Sequence, residues 1–156
     1  MPTKRLLVLS HSRTGSPARL RDALLLGVGA VDAVTPVALD VTDAGLDDVL
    51  AASGVLVATP ARFGALAGLT KDLFERIYPW FEERPDVRPG MPWTAVVKGA
   101  SDPSGAVRDL ERILVGLRWR QVLPPVQCVG ELTDADLAAA QELGATFAAG
   151  LDAGIW

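Results

Sequence analysis

Ser12, Thr14, Gly15 and Ser16 stand together in "SHSRTGSP" (10–17), directly after the apolar run "LLVLS" and directly before a stretch with helical spacing. Hydroxyls and a glycine between a strand and a helix suit anion binding. The first N–H groups of a helix lack intrahelical partners, and the dipole is positive there. Hydroxyl donors complete a site whose most natural ligand is a phosphate. Gly15 allows close backbone approach, and Pro17 falls in the first helical turn, where its missing N–H costs little. Ser16 as a plain N-cap is the competing reading. Ser10, His11 and Arg13 belong to the same corner, with His11 expected as a partly exposed loop residue beside the anion.

Two further stretches have suitable residue types. In "ATPARFGALAG" (58–68), a strand runs out through Thr59, Pro60 and Ala61 into Arg62, Phe63 and Gly64. Backbone groups near Gly64 can reach the edge of a planar heterocycle, and Phe63 can cover its face. Equally, Phe63 can cover the core while Gly64 makes a turn. Arg62 suits a charged substrate or a nicotinamide phosphate, or else an ion pair with a nearby acid. "KGASDPSG" (98–105) is small and polar. It offers Gly99, Ala100 and Ser101, and either Ser101 or Asp102 can cap a following helix.

The elements that must position these loops alternate. Short apolar runs at 4–10, 34–41, 54–60, 93–99 and within 122–130 read as strands. Pro36 places the second at an edge or a start, and Pro124–Pro125 place the fifth at an edge. Leu20, Ala23, Leu24 and Val28 make the apolar face of a first helix, which Gly27 and Gly29 stop. A short helix follows near 45–52. Leu66, Leu69, Leu73, Ile77 and Trp80 line one face of the next, with Tyr78 and Trp80 expected in the core or at a homodimer interface. Val107, Leu110, Leu114 and Leu117 line the fourth. Thr133 caps the last, with Asp134 and Asp136 in its first turn. The expected fold is an α/β three-layer sandwich over 1–156, one domain, with a five-stranded parallel sheet in the order 2-1-3-4-5. Such sheets bind ligands at the carboxyl ends of their strands where the order reverses, so the three polar loops converge.

Composition narrows the function. The 156 residues carry 15 basic and 19 acidic side chains, a net charge of −4, which disfavours nucleic acid and anionic membrane as partners. No apolar run approaches the ~18–20 residues that span a bilayer, and the N-terminal run is shorter than the ~7–15 of a secretory signal, so a cytoplasmic protein is expected. Cys128, the single cysteine, fits a reducing compartment and a core position. One histidine and one cysteine make a zinc or iron site improbable. "GVGAVD" (27–32) ends a helix, whereas a dinucleotide fingerprint opens one, and neither a Walker sequence nor a G-x-S-x-G elbow occurs.

"SHSRTGSP" resembles the phosphate loop of flavodoxin-like flavoproteins, [ST]-x-T-G-x-T, with Ser12, Thr14 and Gly15 in register and Pro17 at the last Thr. "TPARFGALAGLTKDLFER" is similar to the Thr-Pro-x-Arg-Phe-Gly stretch of the tryptophan-repressor-binding-protein type of NAD(P)H:quinone reductase. The resemblance implies FMN, its phosphate at 12–17 and its ring system held by Thr59–Gly64 and the third loop. It implies hydride transfer from NAD(P)H through the flavin to a quinone or similar acceptor. The histidine and Gly-Gly that those reductases carry in the third loop are absent here. A one-electron flavodoxin carrier with a protein acceptor, and a flavodoxin-like binding module without FMN, are the alternatives.

Overall fold

The computed structural model describes residues 3–11 and 15–156. Chain order is β1 (Lys4–Ser10), α1 (Gly15–Val28), β2 (Val34–Asp40), α2 (Leu46–Ala51), β3 (Gly54–Arg62), β4 (Ala65–Leu66), α3 (Gly68–Glu82), β5 (Pro92–Gly99), α4 (Ser104–Gly116), β6 (Arg120–Gln121), β7 (Val126–Val129) and α5 (Asp134–Ala153). The sheet runs β2-β1-β3-β5, and β5 then carries β6 against Pro92–Trp93 and β7 against Val96–Gly99, all parallel. The expected order therefore stands, with its fifth position split in two. Pro124 and Pro125 lie in the break, where lost N–H donors end one ladder before the next begins. The two-residue β4 adds a short antiparallel return to the end of β3.

Both faces of the sheet are covered, as parallel strands require. Leu7, Leu9, Val55, Val57, Ala95 and Val97 face α2, α3 and α4. Leu6, Val8, Leu56, Ala58 and Val96 face α1 and α5. Most of these side chains are fully buried. Each contributes about 1.5–3 kcal/mol of transfer free energy if a Val or Leu.

Several local expectations change in the folded chain. Gly27 does not stop α1, which runs on to Val28. A Cβ on Gly27 would overlap the carbonyl oxygen of Gln141, and one on Gly144 would overlap that of Leu24. The two glycines let α1 and α5 cross in near-backbone contact. α3 begins at Gly68, leaving Leu66 in β4; its buried face is Thr70, Leu73, Phe74, Ile77 and Phe81. Tyr78 keeps 39% of its surface exposed and Trp80 is half-buried beneath the Arg84 guanidinium, 4.6 Å from its ring, so neither sits in the core. Trp156 docks on its own chain: its ring lies against Gly150 and its indole N–H donates to Phe147 O at 3.2 Å. No helix among the described residues is long and apolar enough to cross a membrane.

Candidate functional site

The carboxyl ends of β1, β3 and β5 lie side by side at the centre of the sheet, which brings Ser10 and the segments that follow β3 and β5 to the same end of it. Ser12, Arg13 and Thr14 lie outside the described residues. Their neighbours on both sides are placed. Ser10 ends β1, and Gly15 and Ser16 open α1, exposed and half-buried respectively. No acidic residue occupies the first turn of α1. A Cβ on Gly15 would meet nothing within 4 Å, so the helix start faces open space.

His11 is buried, with 6% of its surface exposed, which corrects the partly exposed position expected for it. The register of β1 on β3 sets Ser10 opposite Ala58, and the His11 N–H donates to Ala58 O at 3.0 Å. Ser10, two residues beyond Val8 in β1, points to the α1 side of the sheet. Ser10 is fully buried too. Among the described residues, Ser10 Oγ and His11 Nδ1 have no hydrogen-bond partner. A buried polar atom left without a partner costs about 1–3 kcal/mol, so buried polar groups of this kind are nearly always hydrogen-bonded.

Thr59, Pro60 and Ala61 continue β3 beyond the apolar core. Thr59 Oγ1 shares a hydrogen bond of 2.8 Å with Thr70 Oγ1 and donates to Pro60 O at 3.2 Å. The chain then reverses: Ala61 pairs with Leu66 and Arg62 with Ala65, leaving Phe63 and Gly64 as a two-residue turn. Their φ values are 52° and 73°. Two successive positive φ values are what a tight turn matched to strand twist requires, and glycine or asparagine are its usual occupants. Phe63 takes the strained position instead and holds its ring in solvent, wholly exposed. Its expected alternative role as a core cover is thereby excluded. Arg62 is exposed and forms no ion pair among the described residues.

The hairpin is braced from α4. Asp109 Oδ2 accepts from the Leu66 N–H at 2.9 Å, and Gly105 packs against the Gly64 carbonyl. Gly99 is buried at the end of β5, its carbonyl accepting from Gly130 N–H at 2.9 Å, and Ala100 and Ser101 are exposed beyond it. Asp102, not Ser101, holds the start of α4. Its carboxylate accepts from the Ser104 N–H and hydroxyl, both at 2.9 Å, and those bonds hold its pKa below the usual carboxylate value. Thr70, Gly105 and Asp109 were not among the sequence candidates. Thr70 alone had a legible signal, as a polar residue on the apolar stripe of α3.

No family model and no curated protein matches the sequence. Solved structures match across its length. A flavodoxin from the domain Archaea superposes with a TM-score of 0.81 at 15% identity, covering 95% of this chain and 99% of its own. A WrbA-like flavodoxin from Agrobacterium tumefaciens superposes at 0.78 and 19%, covering 97% and 99%. The apo form of an NADH:FMN oxidoreductase superposes at 0.75 and 19%, covering 95% and 90%. The fold is flavodoxin-like.

Proposed function

We propose that the three loops hold FMN and that the protein is a flavin-dependent oxidoreductase. The observation that carries this reading is the hairpin, whose exposed Phe63 and positive-φ Phe63–Gly64 turn continue β3, the strand next to the polar end of β1. Strain and an exposed aromatic ring are retained where a ligand repays them.

The residues fit the cofactor. The start of α1 has no carboxylate to repel a phosphate, and Gly15 leaves room in front of it. Ser16 adds a hydroxyl donor there, and Ser12 and Thr14 precede it in the sequence. Backbone groups of Ala61–Gly64 and of Gly99–Ser101 suit the edge of the ring system, and Phe63 suits its face. Bound there, FMN supplies hydride and electron chemistry. The chain's own part is to anchor the phosphate, orient the ring against the hairpin and exclude water from one side. Arg62, which forms no ion pair among the described residues, attracts the phosphates of NADH or NADPH. A quinone or similar small acceptor then uses the same opening, giving ping-pong kinetics. The flavodoxin and NADH:FMN oxidoreductase neighbours support a redox role and leave the acceptor open.

A one-electron carrier is the second reading, favoured by the net charge of −4, which steers a protein toward basic redox partners. The two differ in the spacing of the two one-electron midpoint potentials: wide for a carrier, narrow or inverted for a hydride enzyme.

The visible spectrum of the purified protein, with and without added FMN, tests the proposal. A flavin spectrum that disappears when Gly15 is replaced by a bulky residue supports it, and bleaching by NADH or NADPH then distinguishes enzyme from carrier. A protein that stays colourless in excess FMN overturns both redox readings.

A further inference from the structure

The Phe63 ring is wholly exposed, so packing of that side chain does not hold the Phe63–Gly64 turn in place. Its position is set by what holds the strands on either side of it. The outgoing strand is tied to α3 by the bond between Thr59 and Thr70. The return strand is tied to α4. Leu66 is buried, and its N–H donates to Asp109 Oδ2 at 2.9 Å. Gly105, one turn earlier on α4, backs onto the Gly64 carbonyl. One face of α4 thus meets the return segment at both its ends, and Asp109 makes the polar contact.

The other uses of a helix carboxylate do not apply to Asp109. It stands in the second turn of α4, whose start is held by Asp102. It is half-buried, next to the buried Leu110, where an aspartate is ordinarily solvated. Among the described residues it forms no ion pair and accepts no other hydrogen bond. Its work is to receive one backbone N–H from a strand of two residues that makes two pairs with β3. So short a hairpin is marginal by itself. A bond from N–H to a carboxylate is stronger than one between neutral groups, and it fixes the strand it holds.

We propose that Asp109 is a positioning residue for the flavin. As a hydrogen-bond acceptor it holds Ala65–Leu66, and through them the Phe63–Gly64 turn, in the arrangement that meets the ring before the cofactor arrives. Order established beforehand is order that binding need not impose, so it appears as affinity. The proposal rests on the FMN reading above.

The full-length wild type, Asp109→Asn and Asp109→Ala test it. Asn keeps an acceptor oxygen and loses the charge, and Ala loses both. In the protein without FMN, amide exchange over 61–66 should be about tenfold faster in D109A and near wild type in D109N, with β5 amides unchanged in both. FMN affinity, followed by quenching of flavin fluorescence, should fall about tenfold in D109A and stay within about threefold in D109N. The visible circular dichroism of bound FMN, which reports the surroundings of the ring, should change in D109A and return in D109N. Affinity and flavin dichroism that are unaltered in D109A overturn the assignment. So does a D109N variant as impaired as D109A, which makes the charge and not the bond responsible. Exchange that quickens in β5 as much as in the hairpin overturns it in favour of a general loss of stability. A wild type that binds no FMN fails the cofactor reading and this proposal together, an outcome distinct from FMN binding that ignores residue 109.

Discussion

Gly105, in the first turn of α4, backs directly onto the carbonyl oxygen of Gly64, so closely that a Cβ at 105 would overlap that oxygen. The contact joins the tip of the hairpin after β3 to the helix after β5. Together with the bond from Leu66 N–H to Asp109, it gives a two-residue turn a rigid support.

Gly105→Ala is therefore expected to push the hairpin off α4. Overpacking of this kind costs typically 1–3 kcal/mol. FMN affinity should fall by more than that of an exposed control such as Arg108→Ala, because the displaced atoms are those proposed to meet the ring. Urea unfolding and a fluorescence titration on the two variants measure both effects.

Phe63 occupies left-handed backbone at φ 52° with its ring entirely in solvent, so it has strain and no packing of its own. Asn tolerates that conformation far better. Phe63→Asn should stabilise the protein without cofactor by about 0.5–1 kcal/mol in urea unfolding, a fraction of the ~1–2 kcal/mol cost of left-handed backbone. The same change should weaken FMN binding. A variant both more stable and equally tight in binding would deny Phe63 a role at the ring.

The bond between Thr59 and Thr70 is unevenly backed, since Thr59 Oγ1 also donates to Pro60 O and Thr70 has no other partner among the described residues. Thr59→Val strands the Thr70 hydroxyl and should cost about 1–3 kcal/mol. Thr70→Val should cost less. The double variant should fall short of the sum, because it removes both polar groups together. A double-mutant cycle in urea decides this.

Asp136 caps α5 with Thr133: its carboxylate accepts from Thr133 N–H at 2.9 Å while Thr133 Oγ1 accepts from Asp136 N–H at 3.2 Å. The bond from Thr133 N–H holds the Asp136 pKa below its ordinary value. A carboxylate whose pKa is lower folded than unfolded stabilises the fold above the unfolded value. That stabilisation is lost as pH falls through the folded one. Melting temperature should thus decline on acidification below about pH 4, and Asp136→Asn should flatten that decline. Thr133→Ala should cost about 1 kcal/mol at neutral pH.

Much of the fold was legible because its determinants are local. Alternating apolar runs and helical stripes specify strands and helices, and their alternation leaves a parallel sheet covered on both faces as the way to bury them. The edge position of Pro36 and the Thr133 cap followed from the same reasoning. Cys128 also sits as read: it is buried in β7, and desolvation pushes its thiol pKa up to about 11. Tertiary structure decided the rest. Whether His11 is exposed depends on what covers the end of β1, and nothing within a few residues of it says so. Gly27 reads as a helix stop until α5 crosses it at Gln141 and Ala145. Phe63 is forced to positive φ by the pairing of Ala61 with Leu66, a contact defined only once α4 supports the return strand. Periodicity and capping act over three or four residues, whereas burial, close approach and backbone strain at the site depend on segments brought together from across the chain.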